Sequence, residues 1–138
     1  MPADTVAVAK DMLQHLNKWS DKPCKFALEE LSKKSPALMI QPLAGSGIER
    51  RYVDGSFIGL FTFAVYLRAE QTDTHKKLSA YDTLEKLAYW LEHSELPELS
   101  GNKTAIKIEQ SATPALAMVD DDTEDYQAVF SLRYKQSA

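Results

Sequence analysis

Apolar residues along this chain switch from helical spacing to alternation and back, and the switches divide it into elements. Val6, Ala9, Met12, Leu13, Leu16 and Trp19 recur at helical spacing, with Lys10, Asp11, Gln14 and Lys18 opposite them. They predict an amphipathic helix over residues 3–19, ended by Asp21 and Pro23. Residues 24–35 read two ways. Cys24, Phe26 and Leu28 alternate like a strand, whereas Leu28-Glu29-Glu30-Leu31 fits a helical turn; a short strand and a Lys-Ser-rich turn is the favoured reading. Leu38 and Ile40 begin a firmer strand that ends at Pro42, a residue without an amide for the ladder and so expected at an edge or beyond the pairing. Gly45-Ser46-Gly47 connects it to the next element.

Asp54-Gly55 predicts a two-residue hairpin turn, because Asp and Gly tolerate the positive φ such turns need. That turn sets Tyr52 across from Phe57, Arg50 across from Gly59 and Ile48 across from Phe61. One face then gathers Ile48, Tyr52, Phe57, Phe61, Phe63, Val65 and Leu67 as the core side. The other gathers Val53, Ile58, Leu60, Ala64 and Tyr66, with Glu49 and Arg51 at its margin. A strand apolar on both faces is expected to be covered on both. With few helices available, a second copy of the chain is the expected cover for one side.

A second helix is predicted over residues 74–93, capped by Asp73 or Thr74, with Tyr81, Leu84, Leu87, Ala88 and Leu91 as its stripe. Tyr89 and Trp90 fall outside that stripe. Beyond Leu96-Pro97 and Ser100-Gly101-Asn102, Thr104–Glu109 alternates with Ile106 and Ile108 inward, and Ala115–Val119 reads as a short extra strand. Tyr126, Ala128, Phe130, Leu132 and Tyr134 mark a half-buried final strand. The predicted fold is a single α+β domain over 1–138: a mostly antiparallel sheet of about five strands with two amphipathic helices.

Length and composition place this 138-residue chain among ordinary globular domains able to build a core unaided. A net charge of −4 with scattered basic pairs (Lys33-Lys34, Arg50-Arg51, Lys76-Lys77) argues against a dedicated nucleic-acid binder. One cysteine, Cys24, excludes an internal disulfide and a Cys-based zinc site, and suggests a reducing compartment. Neither a secretory signal nor an apolar run of about 20 residues is found.

Candidate chemistry is sparse. His15, His75 and His93 lack i, i+4 partners and read as solvated helix-surface residues. Cys24 reads as a small buried thiol, Ser56 as a turn residue. The run Asp120, Asp121, Asp122, Thr123, Glu124, Asp125 lacks the glycine and terminal glutamate of a calcium loop, and is expected as a solvated acidic loop between strands. Arg50 and Arg51 point to opposite faces and read as edge protection. No enzymatic centre and no cofactor are expected.

The run Leu38-Met-Ile-Gln-Pro-Leu-Ala-Gly45, continued by Ile48-Glu-Arg-Arg-Tyr-Val-Asp-Gly-Ser56, resembles the minor capsid proteins of tailed bacteriophages and prophages of Gram-positive bacteria, which are similar to tail terminator proteins. The motif covers residues 38–56, and the order of elements extends the resemblance over nearly the whole chain. Its departure is the Ala44–Gly47 loop, longer than in the family pattern. The resemblance implies a tail-terminator-like fold and a non-enzymatic virion part, made in the bacterial host cytoplasm. It implies a homo-oligomeric ring, commonly a hexamer, whose subunit can wait as a monomer until the tail is present. The implied partners are the tail-tube protein and a head-completion protein, with DNA passing nearby without specific binding and no membrane. Arg50, Arg51, Ile58, Leu60, Tyr66, Tyr89 and Trp90 are then the candidate subunit or tail interface, and the acidic loop a negative lumen or rim. Two other readings compete: a head-completion protein of the same virion, and a small ligand-binding domain or enzyme with a pocket beside Tyr66 or Trp90.

Overall fold

The computed structural model describes residues 5–31, 35–44, 46–70, 74–120 and 122–138. Its elements are α1 (Thr5–Leu16), β1 (Phe26–Leu28), β2 (Ala37–Pro42), β3 (Gly47–Arg51), β4 (Phe57–Glu70), α2 (Thr74–His93), β5 (Lys103–Val119) and β6 (Thr123–Gln136). The fold is α+β: six strands form one sheet in the order β1-β2-β4-β6-β5, and β3 also pairs with β4. All pairings are antiparallel except β1 with β2. Residues 3 and 4 of the predicted first helix, Lys33, Lys34, Gly45, Asp73 and Asp121 lie outside the described residues, as do the side chains of Thr74, His75, Lys76 and Lys77.

Alternation on β4 and β6 sorts the two faces of the sheet. Phe57, Phe61, Phe63, Val65 and Leu67 join Tyr126, Ala128, Phe130, Leu132 and Tyr134 in one buried cluster. Leu38 and Ile40 of β2 extend it, and both helices close over it with Val8, Met12 and Leu16 of α1 and Leu84, Leu87 and Leu91 of α2. Phe61, Phe63 and Phe130 stack in series at ring separations of 5.4 and 5.6 Å. Burying that many large side chains, each contributing about 1.5–3 kcal/mol, is the main stabilising term.

Several local readings are corrected. Val6 is exposed on α1 and Val8 takes its place, because the stripe facing the sheet runs Val8–Met12–Leu16 at i, i+4 spacing. That rotation also carries His15 inward, so it is not a solvated histidine. The hairpin pairs Arg51 with Phe57, not Tyr52. The Gly55 amide donates to the Tyr52 carbonyl and the Tyr52 amide to the Ser56 carbonyl, which makes a longer loop than the predicted two-residue turn, with Gly55 alone at positive φ (94°). A bulge between Ile48 and Arg50 shifts the register once more, leaving Ile48 beside Gly59. On β5, a bulge between Ala105 and Lys107 removes Ile106 from the alternation; Ile108 is buried and Ile106 exposed. Finally, Ala115–Val119 is the end of the 17-residue β5, not a separate strand. The sheet has six strands, and the short strand favoured at Cys24–Leu28 is among them as the three-residue β1 beside β2.

Ser46 joins the two strands that share one edge of β4. Its hydroxyl accepts the Thr62 amide at 2.8 Å and donates to the Leu43 carbonyl at 3.1 Å, where β2 has ended and β3 begins. Across the ladder, Gly59 faces Tyr134, and a Cβ built at Gly59 would overlap the Tyr134 ring. Glycine there lets the ring lie flat over the backbone. Gly59→Ala should therefore lower stability by about 1–3 kcal/mol through overpacking. The measurement is the shift in urea midpoint, and Tyr134→Leu in the same chain should recover part of the loss.

Candidate functional site

Both helices pack on one face of the sheet, so β4 presents its even-numbered residues on a face without helical cover. Register with β6 makes this surface a set of opposed pairs: Ile58 with Lys135, Leu60 with Arg133, Thr62 with Ser131, Ala64 with Val129, Tyr66 with Gln127 and Arg68 with Asp125. The apolar members come mostly from β4 and the polar ones from β6. Ala64 is fully buried, whereas Ile58, Leu60 and Tyr66 are half-buried.

Polar side chains provide that partial cover. The Arg133 guanidinium donates to both Glu49 carboxylate oxygens, Nε at 2.9 Å and Nη2 at 3.1 Å, and so spans β4 from β6 to β3. At the other end, Arg68 donates to Asp125 through Nε at 2.8 Å and Nη2 at 3.0 Å. Between them the Gln127 side-chain amide donates to the Tyr66 hydroxyl at 2.9 Å. Bidentate, charge-assisted pairs hold their geometry better than single contacts. On the expected Ile58–Tyr66 face, Ile58, Leu60 and Tyr66 are half-buried in the single chain and bordered by these polar side chains. None of these pairs was read from the sequence. Matching the alternation of residues 57–70 to that of 123–136 would have revealed the Arg68–Asp125 and Tyr66–Gln127 pairs, but the bulge hides Glu49 with Arg133.

The acidic run is also corrected. Glu124 and Asp125 belong to β6 and are buried, at 2 % and 6 % exposure. Besides the Arg68–Asp125 pair, the Tyr126 hydroxyl donates to the Glu124 carboxylate at 2.6 Å. Burial, then that bond, pushes the Tyr126 hydroxyl pKa upward. Asp120 and Asp122 are exposed at the β5–β6 turn, and Asp121 lies outside the described residues. The run changes role midway because strand pairing begins at Thr123.

The remaining predicted interface residues lie elsewhere. Arg50 and Arg51 are exposed on β3, an edge strand. Tyr89 is 66 % exposed on α2. Trp90 is half-buried, stacked on His15 with ring centres 4.8 Å apart and tilted against Trp19 at 6.3 Å. Around them opens a cleft of about 430 Å³ lined by Trp19, Asp21, Lys86, Tyr89, Trp90, His93 and Ser94. Tyr89 and His93 stack at 4.0 Å, and the His93 Nδ1–H donates to the Tyr89 carbonyl at 2.9 Å. The predicted interface therefore falls into three patches: the open sheet face, the β3 edge and the aromatic cleft. Among the described residues, no three His, Cys, Asp or Glu side chains are grouped to hold a metal ion. Ser56, predicted as a turn residue, donates its hydroxyl and its amide to the Asp54 carboxylate at 2.6 and 2.9 Å. Cys24 is half-buried, and burial raises its thiol pKa.

The chain matches no protein-family profile and no curated protein.

His15 gives this region a pH dependence. Burial first, then the charge of Lys18, holds its pKa below the ordinary value of 6.5. Protonation is harder in the folded state than in the unfolded one, so the histidine's contribution is complete above about pH 6.5 and declines as pH falls through the folded value. The urea midpoint should drop between pH 7.5 and 5.5, and His15→Phe should flatten that drop. An unchanged slope in the variant would count against this origin.

Proposed function

We propose that this chain is a phage or prophage virion protein that caps the tail tube as a ring subunit and forms the tail side of the head–tail joint. The observation that carries the reading is the sheet face without helical cover, where Ile58, Leu60 and Tyr66 lie half-buried among the Glu49–Arg133 and Arg68–Asp125 pairs. Apolar patches framed by ordered charges suit docking to another protein. The resemblance of residues 38–56 to tail-terminator-like minor capsid proteins supplies the class of partner. In this reading the open face meets the tail tube, and Asp120 and Asp122 form a negative feature past which DNA moves without sticking, since phosphate repulsion opposes counterion-release binding. The protein then belongs to the virion and, during assembly, to the cytoplasm of the bacterial host.

Cosedimentation with purified tail tubes of the cognate phage tests the reading. Wild type should pellet with tubes, and Leu60→Asp or Tyr66→Glu should weaken that binding at least about tenfold, as expected for residues central to an interface. Far-ultraviolet circular dichroism should stay unchanged in both variants. Binding to head or portal particles instead of tubes would favour the head-completion alternative, and binding to neither would remove the virion reading.

A further inference from the structure

Both tryptophans of the chain, Trp19 and Trp90, line the same cleft, joined there by Tyr89 and His93. Trp19 follows α1, and the other three rings come from the last turns of α2. Core packing explains Trp19, which is buried. It does not explain Tyr89, which is exposed and lies outside the buried cluster.

The charges around the cleft are unevenly satisfied. The Lys86 ammonium is held by Asp82 at 3.1 Å, and the Lys22 ammonium donates to the Trp19 carbonyl at 3.4 Å. Asp21, the carboxylate of the lining, makes no hydrogen bond or ion pair among the described residues. Both helices also end beside the cleft, at Leu16 and His93, and helix C-termini carry partial negative charge. Aromatic faces are the negative part of a ring quadrupole. The site therefore favours positive charge, while the cations next to it are already engaged.

The lining also selects the kind of cation. A volume of about 430 Å³ is room for a small organic ion. A metal ion would need several oxygen ligands and a primary ammonium three acceptors, whereas these walls are mostly rings with one carboxylate. A quaternary ammonium has no N–H to satisfy and is attracted by the ring faces themselves. We propose that the Trp19–Tyr89–Trp90 cleft binds a small quaternary ammonium compound of the choline type, its methyl groups against the rings and its charge facing Asp21. The cleft is on the helical layer, away from the open sheet face, so this site and tail docking stand or fall separately.

Because both tryptophans line the cleft, tryptophan emission reports on it directly. Choline chloride titrated into the full chain, against sodium chloride at matched ionic strength, should give a saturable change. Neohexanol, which has carbon in place of choline's nitrogen, should bind at least about fivefold more weakly, since it keeps the shape and loses the charge. Asp21→Asn should weaken choline binding about threefold and leave neohexanol unchanged. Tyr89→Leu should weaken choline binding as well, and Tyr89→Phe, which keeps the ring, should retain it. Asp21 and Tyr89 are both exposed, and urea midpoints equal to wild type exclude misfolding; the comparison of the two ligands needs no variant. A choline response no larger than that to sodium chloride would overturn the proposal. Equal binding of choline and neohexanol would overturn it too, leaving an apolar cleft without preference for a cation. So would choline binding that Asp21→Asn does not change.

Discussion

Fourteen consecutive residue pairs join β4 to β6, from Phe57 with Gln136 to Glu70 with Thr123, without a bulge. Because side chains alternate along both strands, that uninterrupted register decides the face of nearly every important residue. It stacks Phe63 on Phe130 in the core and sets Arg68 against Asp125 outside it. Slipping by one residue would bury Arg68 and expose Phe63, so the pattern admits one alignment. The helices, β2, β3 and β5 all attach to this pair.

Legibility in the sequence tracked the regularity of the ladder. The inward set of β6 was readable because five successive even-numbered positions, Tyr126 to Tyr134, carry apolar groups, and α2 because its stripe repeats without interruption. Bulges defeated the same reasoning elsewhere. One inserted residue near Glu49 and another at Ile106 each reverse the phase of the residues beyond them, and neither position has the glycine or proline that would announce it. His15 was misplaced for a different reason: stacking on Trp90 is a contact between distant segments, and α1 alone gives no sign of it.

The candidate site was legible as a set of residues but not as an arrangement. Ile58, Leu60 and Tyr66 do share one face, as alternation requires. Tyr89 and Trp90 lie on the helical layer, and Arg50 with Arg51 on an edge. Glu124 and Asp125 show how composition misleads, since a run of carboxylates resembles a solvated loop until strand pairing supplies Arg68 and the Tyr126 hydroxyl. Edges are treated unevenly. Asn17 bonds the Phe26 amide and carbonyl, at 2.8 and 3.4 Å, and so occupies the outer side of β1. On β5, Pro114 and repeated bulges discourage pairing while Leu116, Met118 and Val119 stay exposed.

The long central ladder also has a mechanical meaning. Antiparallel ladder bonds run perpendicular to their strands. A force pulling β4 and β6 apart along their length would stretch the whole series of bonds at once, whereas one applied at a strand end across the sheet would open them singly. Ser46 adds to this by bridging the gap between β2 and β3, so the load on β4 passes from one neighbour to the next through a hydroxyl. The sheet is therefore stiffest along its strands and most easily peeled from its short edges.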